Sequence, residues 1–320
     1  MKIIHAGSEL RAGGKGVSLA IGFFDGVHLG HQQIIRETIR HAEQHEALAL
    51  VITFDQHPNV VVAPARVPPL IYSLDQKLAA ISSLDVDTLL LLHFDRPFSE
   101  QPAEDFIKNL NKDLGGIESI CVGANFSFGC GRKGNVDLLK QLGAELNFSV
   151  HGLAAVSLDG KAVSSTRIRE ALQAGELDQA SQMLGRAYSL AGSVIRGDGL
   201  GRKLGFPTAN LNVQGLALPP TGVYAVHAIV EGKRHRAVVN IGFRPTLQNP
   251  TPQLRVEAHL LEFDADLYGK VVELVFVEKL RDERKFSGLE DLRQQIQKDI
   301  LEAQNRVLRF AGERRASSPT

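Results

Sequence analysis

The chain has 320 residues, 43% of them apolar and 22% charged, with 36 basic residues balanced by 36 acidic ones and two cysteines. That length accommodates two domains with buried cores, and a zero formal charge argues against a general nucleic-acid binder. No apolar run reaches the roughly 18–20 residues of a membrane span, MKIIHAGSEL lacks a hydrophobic signal core, and two cysteines supply neither a disulfide framework nor a four-ligand zinc set, so a cytoplasmic protein is expected.

In the first half, Val17–Phe23 and Leu48–Phe54 are short continuous apolar runs, the pattern of strands buried on both faces. Between them, Gly30–Glu46 carries Ile34, Ile35, Ile39 and Ala42 at helical spacing. Thr88–Phe94, Ile117–Gly123 and Asn147–Val156 are further strand candidates, and Leu74–Leu84 and Glu104–Leu114 are the expected helices between them. Strands alternating with helices predict a doubly wound, Rossmann-like parallel sheet. Ligands of such sheets sit beyond the carboxyl ends of the strands. Three motifs follow such ends: GFFDGVHLGHQ from Gly22, TFDQHP from Thr53 and the glycine-rich VGANFSFGCGRKG from Val122. Cys121 falls in an apolar run and is expected in the core; Cys130 falls in the glycine loop and is given no chemistry.

The first motif sets His28 and His31 three apart where a strand, a turn and a helix start follow in order. Imidazoles at that spacing face one way, at a helix N-terminus suited to anions. They could hold a nucleoside triphosphate and stabilise a departing pyrophosphate. Asn125, in the glycine loop, could bind a base, a ribose or a phosphate, or satisfy its own turn. His57, before Pro58, could be a turn residue.

Ser164–Ala174 and Leu177–Leu184 read as two short helices that close the first half near Arg186. The hydroxyls of Ser164, Ser165 and Thr166 can cap the first of them. A phosphate-binding reading adds Arg169.

The pattern then changes. Tyr188–Arg196, Gly222–Glu231, Arg234–Ile241, Leu254–Glu262 and Val271–Leu280 are strand-like, the turns GDGLG, PPTG, EGK and LYGK lie among them, and a helix follows at Gly288–Arg309. Such a run predicts an antiparallel barrel or sandwich with a C-terminal helix. Gly197, Gly199, Gly201, Arg202 and Lys203 form a loop that lets phosphates approach the backbone, without the order of a Walker A loop. Thr208 and Asn210 are two apart, so on an extended segment they point the same way, as two hard oxygen ligands for Mg²⁺. A glycine hairpin with polar ends is the plainer reading of the same spacing. Alternation places Arg255, Glu257 and His259 on one face of their strand and Val256, Ala258 and Leu260 on the other. Glu257 there could deprotonate a hydroxyl, or pair with Arg255 at the surface.

Taken together, GFFDGVHLGHQ, TFDQHP, VGANFSFGCGRKG and SSTRIR resemble, in order over about residues 15–186, the HxGH adenylyltransferase module of bacterial bifunctional riboflavin kinase/FAD synthetases. Five later segments, among them GSVIRGDGLGRKLGFPTANL and VEAHLLEFDADLYG, resemble the riboflavin kinase module over about residues 187–308. The resemblance implies an HxGH-type α/β domain over residues 1–186, a six-stranded antiparallel barrel with a terminal helix over 187–312, and a polar tail over 313–320. It implies phosphorylation of riboflavin by MgATP to FMN, then adenylyl transfer from ATP to FMN to give FAD and pyrophosphate. In the first domain it assigns His28 and His31 to catalysis and Asn125, Ser165, Thr166 and Arg169 to ATP. In the second it assigns Glu257 as base, Thr208 and Asn210 to Mg²⁺, and the loop of Gly199, Gly201, Arg202 and Lys203 to ATP phosphates. Arg281 and Phe286, with His57 in the first domain, are assigned to flavin. Leu247 replaces a phenylalanine frequent in the family, apolar for apolar. Small-molecule substrates, no nucleic acid or membrane, and a monomer or weak homo-oligomer are expected.

Overall fold

The structure is a computed structural model that describes residues 1–10, 12–246 and 249–316, the side chains of 244–246, 249–253 and 308–316 excepted. Leu247 and residues 317–320 therefore lie outside the described residues. Internal contacts divide the chain into two compact units, Met1–Arg167 and Ile168–Thr320.

The first unit is built on strands β1 (Lys2–Ile4), β2 (Val17–Ile21), β3 (Leu48–Phe54), β4 (Thr88–Leu92), β5 (Ile117–Gly123) and β6 (Ser149–Leu153), all parallel in the order β1-β4-β3-β2-β5-β6. Helices α1 (Leu29–Gln44), α2 (Asn59–Val62), α3 (Leu74–Ser82), α4 (Arg96–Ser99), α5 (Ala103–Leu114) and α6 (Val136–Leu146) lie between the strands. Period-two alternation along the strands feeds two cores. Leu19, Ile21, Leu50 and Ile52 pack with Ile107 and Leu110 of α5 and Leu139 and Leu142 of α6. Ala20, Val51, Leu89 and Leu91 pack with Ile35 of α1 and Ile81 of α3. Both faces are thus covered, which explains the continuous apolar runs. Cys121 is fully buried, and burial pushes its thiol up to about 11, as suits an inert core residue. Cys130 is exposed.

A small hairpin, β7 (Ser157–Leu158) with β8 (Lys161–Ala162), precedes α7 (Ser165–Ala174) and α8 (Leu177–Leu184). The second unit then forms a closed antiparallel barrel from β9 (Ser189–Ile195), β10 (Ala209–Asn212), β11 (Gly222–Val230), β12 (Lys233–Thr246), β13 (Asn249–Leu260) and β14 (Val271–Arg281). A single turn, α9 (Leu200–Lys203), joins β9 to β10. Tyr224 Oη donates to the Pro220 carbonyl at 2.6 Å and pins the PPTG turn. The last helix, α10 (Leu289–Ala316), lays Ala303 and Val307 against Ala225 of β11. It runs beyond the expected Arg309 into the polar tail, because Glu313–Ala316 are good helix formers and one glycine costs only about 1 kcal/mol.

Several elements differ from the sequence expectation, among them the short elements α2, α4, β7, β8, α9 and β10, which it did not contain, and three further ones. Asn147 caps α6 in a left-handed conformation (φ 63°), so the sixth strand starts at Ser149. The helix α6 itself, capped by Asn135 Oδ1 accepting from the Leu138 amide at 2.9 Å, and the three-residue edge strand β1 were not anticipated.

Candidate active sites

The strand order reverses between β2 and β5, and a cavity of about 770 Å³ opens there, beyond their carboxyl ends. The turn after β2 is set by three residues with positive φ: Phe24 (54°), Gly26 (74°) and Val27 (41°). For a β-branched residue that conformation stores strain of order 1–3 kcal/mol, and surrounding contacts must hold it. Asp25 supplies them. Its buried carboxylate accepts the amides of Ile71 at 3.0 Å and Tyr72 at 3.3 Å, and its carbonyl accepts Ser165 Oγ at 3.2 Å.

This turn delivers His28 to the N-cap of α1, where Nδ1 accepts the His31 amide at 3.4 Å. The two imidazoles stack with centroids 3.6 Å apart, and His31 meets the Phe24 ring edge-on at 5.2 Å. Both histidines line the cavity, as do His57 and Asn125. His57 is indeed a turn residue, its Nδ1 accepting the Asn59 amide at 3.0 Å, and its ring also packs edge-on against Phe23 at 4.9 Å. Its segment is tied to the residues after β4: Asp55 accepts the Phe94 amide at 3.1 Å, and Gln56 donates to the Phe94 carbonyl at 2.8 Å.

Ser164, Ser165 and Thr166 split the two roles considered for them. Ser164 Oγ accepts the Arg167 amide at 3.2 Å, which is the capping role. Ser165 reaches the site only through the Asp25 carbonyl, and Thr166 is exposed. Neither is among the residues lining the cavity, and Arg169 follows one turn along α7, in the second unit.

Two features of this site were missed in the sequence. One is an aromatic wall, in which Phe54, Phe94, Phe98 and Phe106 meet edge to face at 5.4–5.6 Å. The other is Lys77, buried on α3, whose ammonium donates to the carbonyls of Phe23 at 3.2 Å and Phe54 at 2.7 Å. Burial brings that ammonium down to about 8, although the Asp25 and Asp55 carboxylates pull the other way. The signal for Lys77 was a charge on the apolar stripe of Leu74, Leu78 and Ile81.

A second cavity, of about 290 Å³, lies within the second unit and gathers Gly199, Gly201, Thr208, Asn210, Glu257, Arg281 and Phe286. Arg202 and Lys203 are exposed and do not line it. Glu257 stands opposite Asn210 on β10 and opposite Asn240 on β12. Asn240, an amide within the apolar run from Ala237 to Phe243 of β12, was also missed. Arg255 pairs with Asp198 at 2.8 Å instead of with Glu257, which makes no ion pair among the described residues. Gly197 makes room for the metal-ligand candidate, since a Cβ there would stand 2.2 Å from Asn210 Nδ2. Arg281 is held by the buried Asp299 of α10 through contacts of 2.7–3.1 Å and packs over Phe286 at 5.7 Å.

The family model for FAD synthetase matches residues 11–167, and that for riboflavin kinase matches residues 184–307. A bifunctional riboflavin kinase/FMN adenylyltransferase from Pseudomonas fluorescens is 36% identical over 95% of this chain and 97% of its own length. The protein of that description from Escherichia coli strain K12 is 35% identical over 95% and 97%. A solved chain described as a macrolide-efflux protein from Streptococcus pneumoniae matches with a TM-score of 0.79 at 27% identity, covering 95% of this chain and 98% of that one. That likeness bears on the fold; among the described residues no helix is long and apolar enough to cross a membrane.

Proposed function

This chain belongs to the family of bifunctional riboflavin kinases/FMN adenylyltransferases, and we propose that its two reactions run at the two cavities just described, one in each unit. Riboflavin and ATP give FMN, and FMN with a second ATP gives FAD. The proposed bounds, 1–186 for adenylyl transfer, 187–312 for the kinase and 313–320 for a polar tail, follow the change of fold type after Arg186, whereas internal contacts divide the chain after Arg167 and α10 continues through Ala316. ATP as the substrate of both steps supports a cytoplasmic location.

The observation that carries the kinase assignment is the register Asn210–Glu257, which sets a carboxylate beside a neutral oxygen donor in a cavity that Thr208 also lines. Glu257 takes the proton of the riboflavin 5′-hydroxyl as that oxygen attacks the γ-phosphate of ATP. Thr208 Oγ1 and Asn210 Oδ1 suit Mg²⁺, which keeps phosphates and waters in its shell, and the room left by Gly197 supports this fit. Bound there, the ion would neutralise phosphate charge. Gly199 and Gly201 let the ATP phosphates approach the backbone, and Arg202 and Lys203 reach them from outside. Arg281, fixed by Asp299, and Phe286 hold the flavin.

In the first cavity the nucleophile is already an FMN phosphate oxygen, so no protein base is required. His28, accepting at Nδ1, carries its hydrogen on Nε2 and, with His31, hydrogen-bonds phosphate oxygens as charge builds on the leaving pyrophosphate. Asn125, which lines the cavity, positions ATP, Ser165 supports the site from behind by holding the Asp25 carbonyl, and His57 sits against FMN.

Glu257→Gln is expected to slow FMN formation by about 10²–10⁴-fold, the range of general-base catalysis, while FAD formation from supplied FMN stays within about twofold of wild type. Loss of both activities in a folded Glu257→Gln protein would overturn the assignment.

A further inference from the structure

The carbonyls of Phe23 and Phe54 lie where β2 and β3 leave the sheet, just before the turns that carry His28 and His57. Lys77 Nζ bonds both carbonyls, and Thr53 Oγ1 donates to that of Phe23 at 3.0 Å. The same ammonium stands 4.2 Å over the Phe23 ring, whose neighbour is His57. The helix bearing Lys77 is fixed by a capping box, Ser73 with Gln76. Lys77 is only 3% exposed, where a methionine would fill the space without the desolvation of a charge.

We propose that Lys77 is a positioning residue for adenylyl transfer: its ammonium clamps the Phe23 and Phe54 carbonyls and so fixes the spacing of the strained His28 turn and the His57 turn across the first cavity. This rests on the reading of that cavity as the adenylyl-transfer site. A charged donor is needed because charge-assisted hydrogen bonds are roughly twice as strong as neutral ones and because only the cation is drawn to the Phe23 ring. The ionisable groups facing it are Asp25 in the turn and Asp55 after β3, and Asp55 is itself paired with His93 at 2.5 Å. Loss of the Lys77 proton loosens the clamp without removing any group that would touch substrate.

The test measures kcat and KM for FAD formation from FMN and ATP, from about pH 6.5 to about pH 10, in wild type, Lys77→Met and Lys77→Arg, with riboflavin phosphorylation followed alongside. At neutral pH, Lys77→Met should lower kcat by roughly 10- to 100-fold, as expected of misplaced reacting groups, with both KM values within about threefold of wild type. Wild-type kcat should fall above about pH 8 and converge on the flat profile of Lys77→Met. In Lys77→Arg the alkaline fall should vanish, because arginine keeps its proton. Kinase rates should be unchanged throughout. A Lys77→Met kcat equal to wild type, or parallel profiles, overturns the proposal. Should Lys77→Met fail to fold, a wild-type kcat flat to about pH 10, or an alkaline fall unmoved in Lys77→Arg, overturns it equally. Undiminished FAD formation by His28→Ala would instead reject the site reading beneath it.

Discussion

Asn210 and Glu257 face each other across the β10–β13 ladder, so a metal-ligand candidate and the proposed base are neighbours by backbone register alone. Their separation is set by two paired strands of a closed barrel, which resist movement more than a loop would. The same register pairs Glu257 with Asn240 on its other side.

This arrangement makes Gly197 a sensitive position. A Cβ there would collide with the Asn210 amide, the free end of a side chain, which can swing away. Gly197→Ala is therefore expected to fold normally and to raise the Mg²⁺ concentration that half-saturates the kinase by roughly tenfold, about 1.4 kcal/mol. A Mg²⁺ titration of FMN formation checks this, and an unchanged midpoint would argue that Asn210 is not a ligand.

Asp299 is buried and holds Arg281, which is partly exposed. Asp299→Ala leaves the guanidinium uncompensated and should cost about 2–3 kcal/mol, somewhat below the range for fully buried pairs. Urea unfolding measures the loss. The KM for riboflavin should rise while FAD formation from FMN is unaffected, and an unchanged riboflavin KM would separate Arg281 from the flavin.

Lys77 also links stability to pH. Folded, it gives up its proton at about 8, and unfolded at its ordinary 10.5. Between those values the unfolded chain binds more protons, so stability rises with pH across the window. Relative to Lys77→Met, wild type should gain roughly 3 kcal/mol from about pH 8 to about pH 10.5. Urea unfolding of both proteins at the two pH values checks this; a constant difference between them would show that Lys77 is not held below its ordinary range.

The sequence made the two architectures readable for physical reasons. Strands buried on both faces leave continuous apolar runs, as at Leu48–Phe54. The barrel strand Leu254–Leu260 shows its inward and outward faces by alternation: Val256, Ala258 and Leu260 are buried, and Glu257 lines the cavity. Of the expected site residues, the structure gathers His28, His31, His57 and Asn125 around one cavity and Thr208, Asn210, Glu257, Arg281 and Phe286 around the other. Long-range partners were not legible. Asp25 meets the Ile71 amide 46 positions away, and Arg281 meets Asp299 18 positions away. The Phe54–Phe94–Phe98 wall joins residues from two strand ends and a four-residue helix, too scattered to leave a periodic signal.

If each cavity performs one step independently, two variants that each lack one step should complement each other. Glu257→Gln and the double variant His28→Ala/His31→Ala are each incubated with riboflavin, ATP and Mg²⁺, alone and mixed, and flavins are resolved over time. Over the time in which wild type completes both steps, Glu257→Gln alone should leave most riboflavin unconverted and the double variant should stop at FMN. Mixed, they should form FAD, the FMN released by one protein being adenylylated by the other. A mixture of the two folded proteins that makes no FAD, because the double variant yields no FMN or Glu257→Gln cannot adenylylate it, would contradict the account.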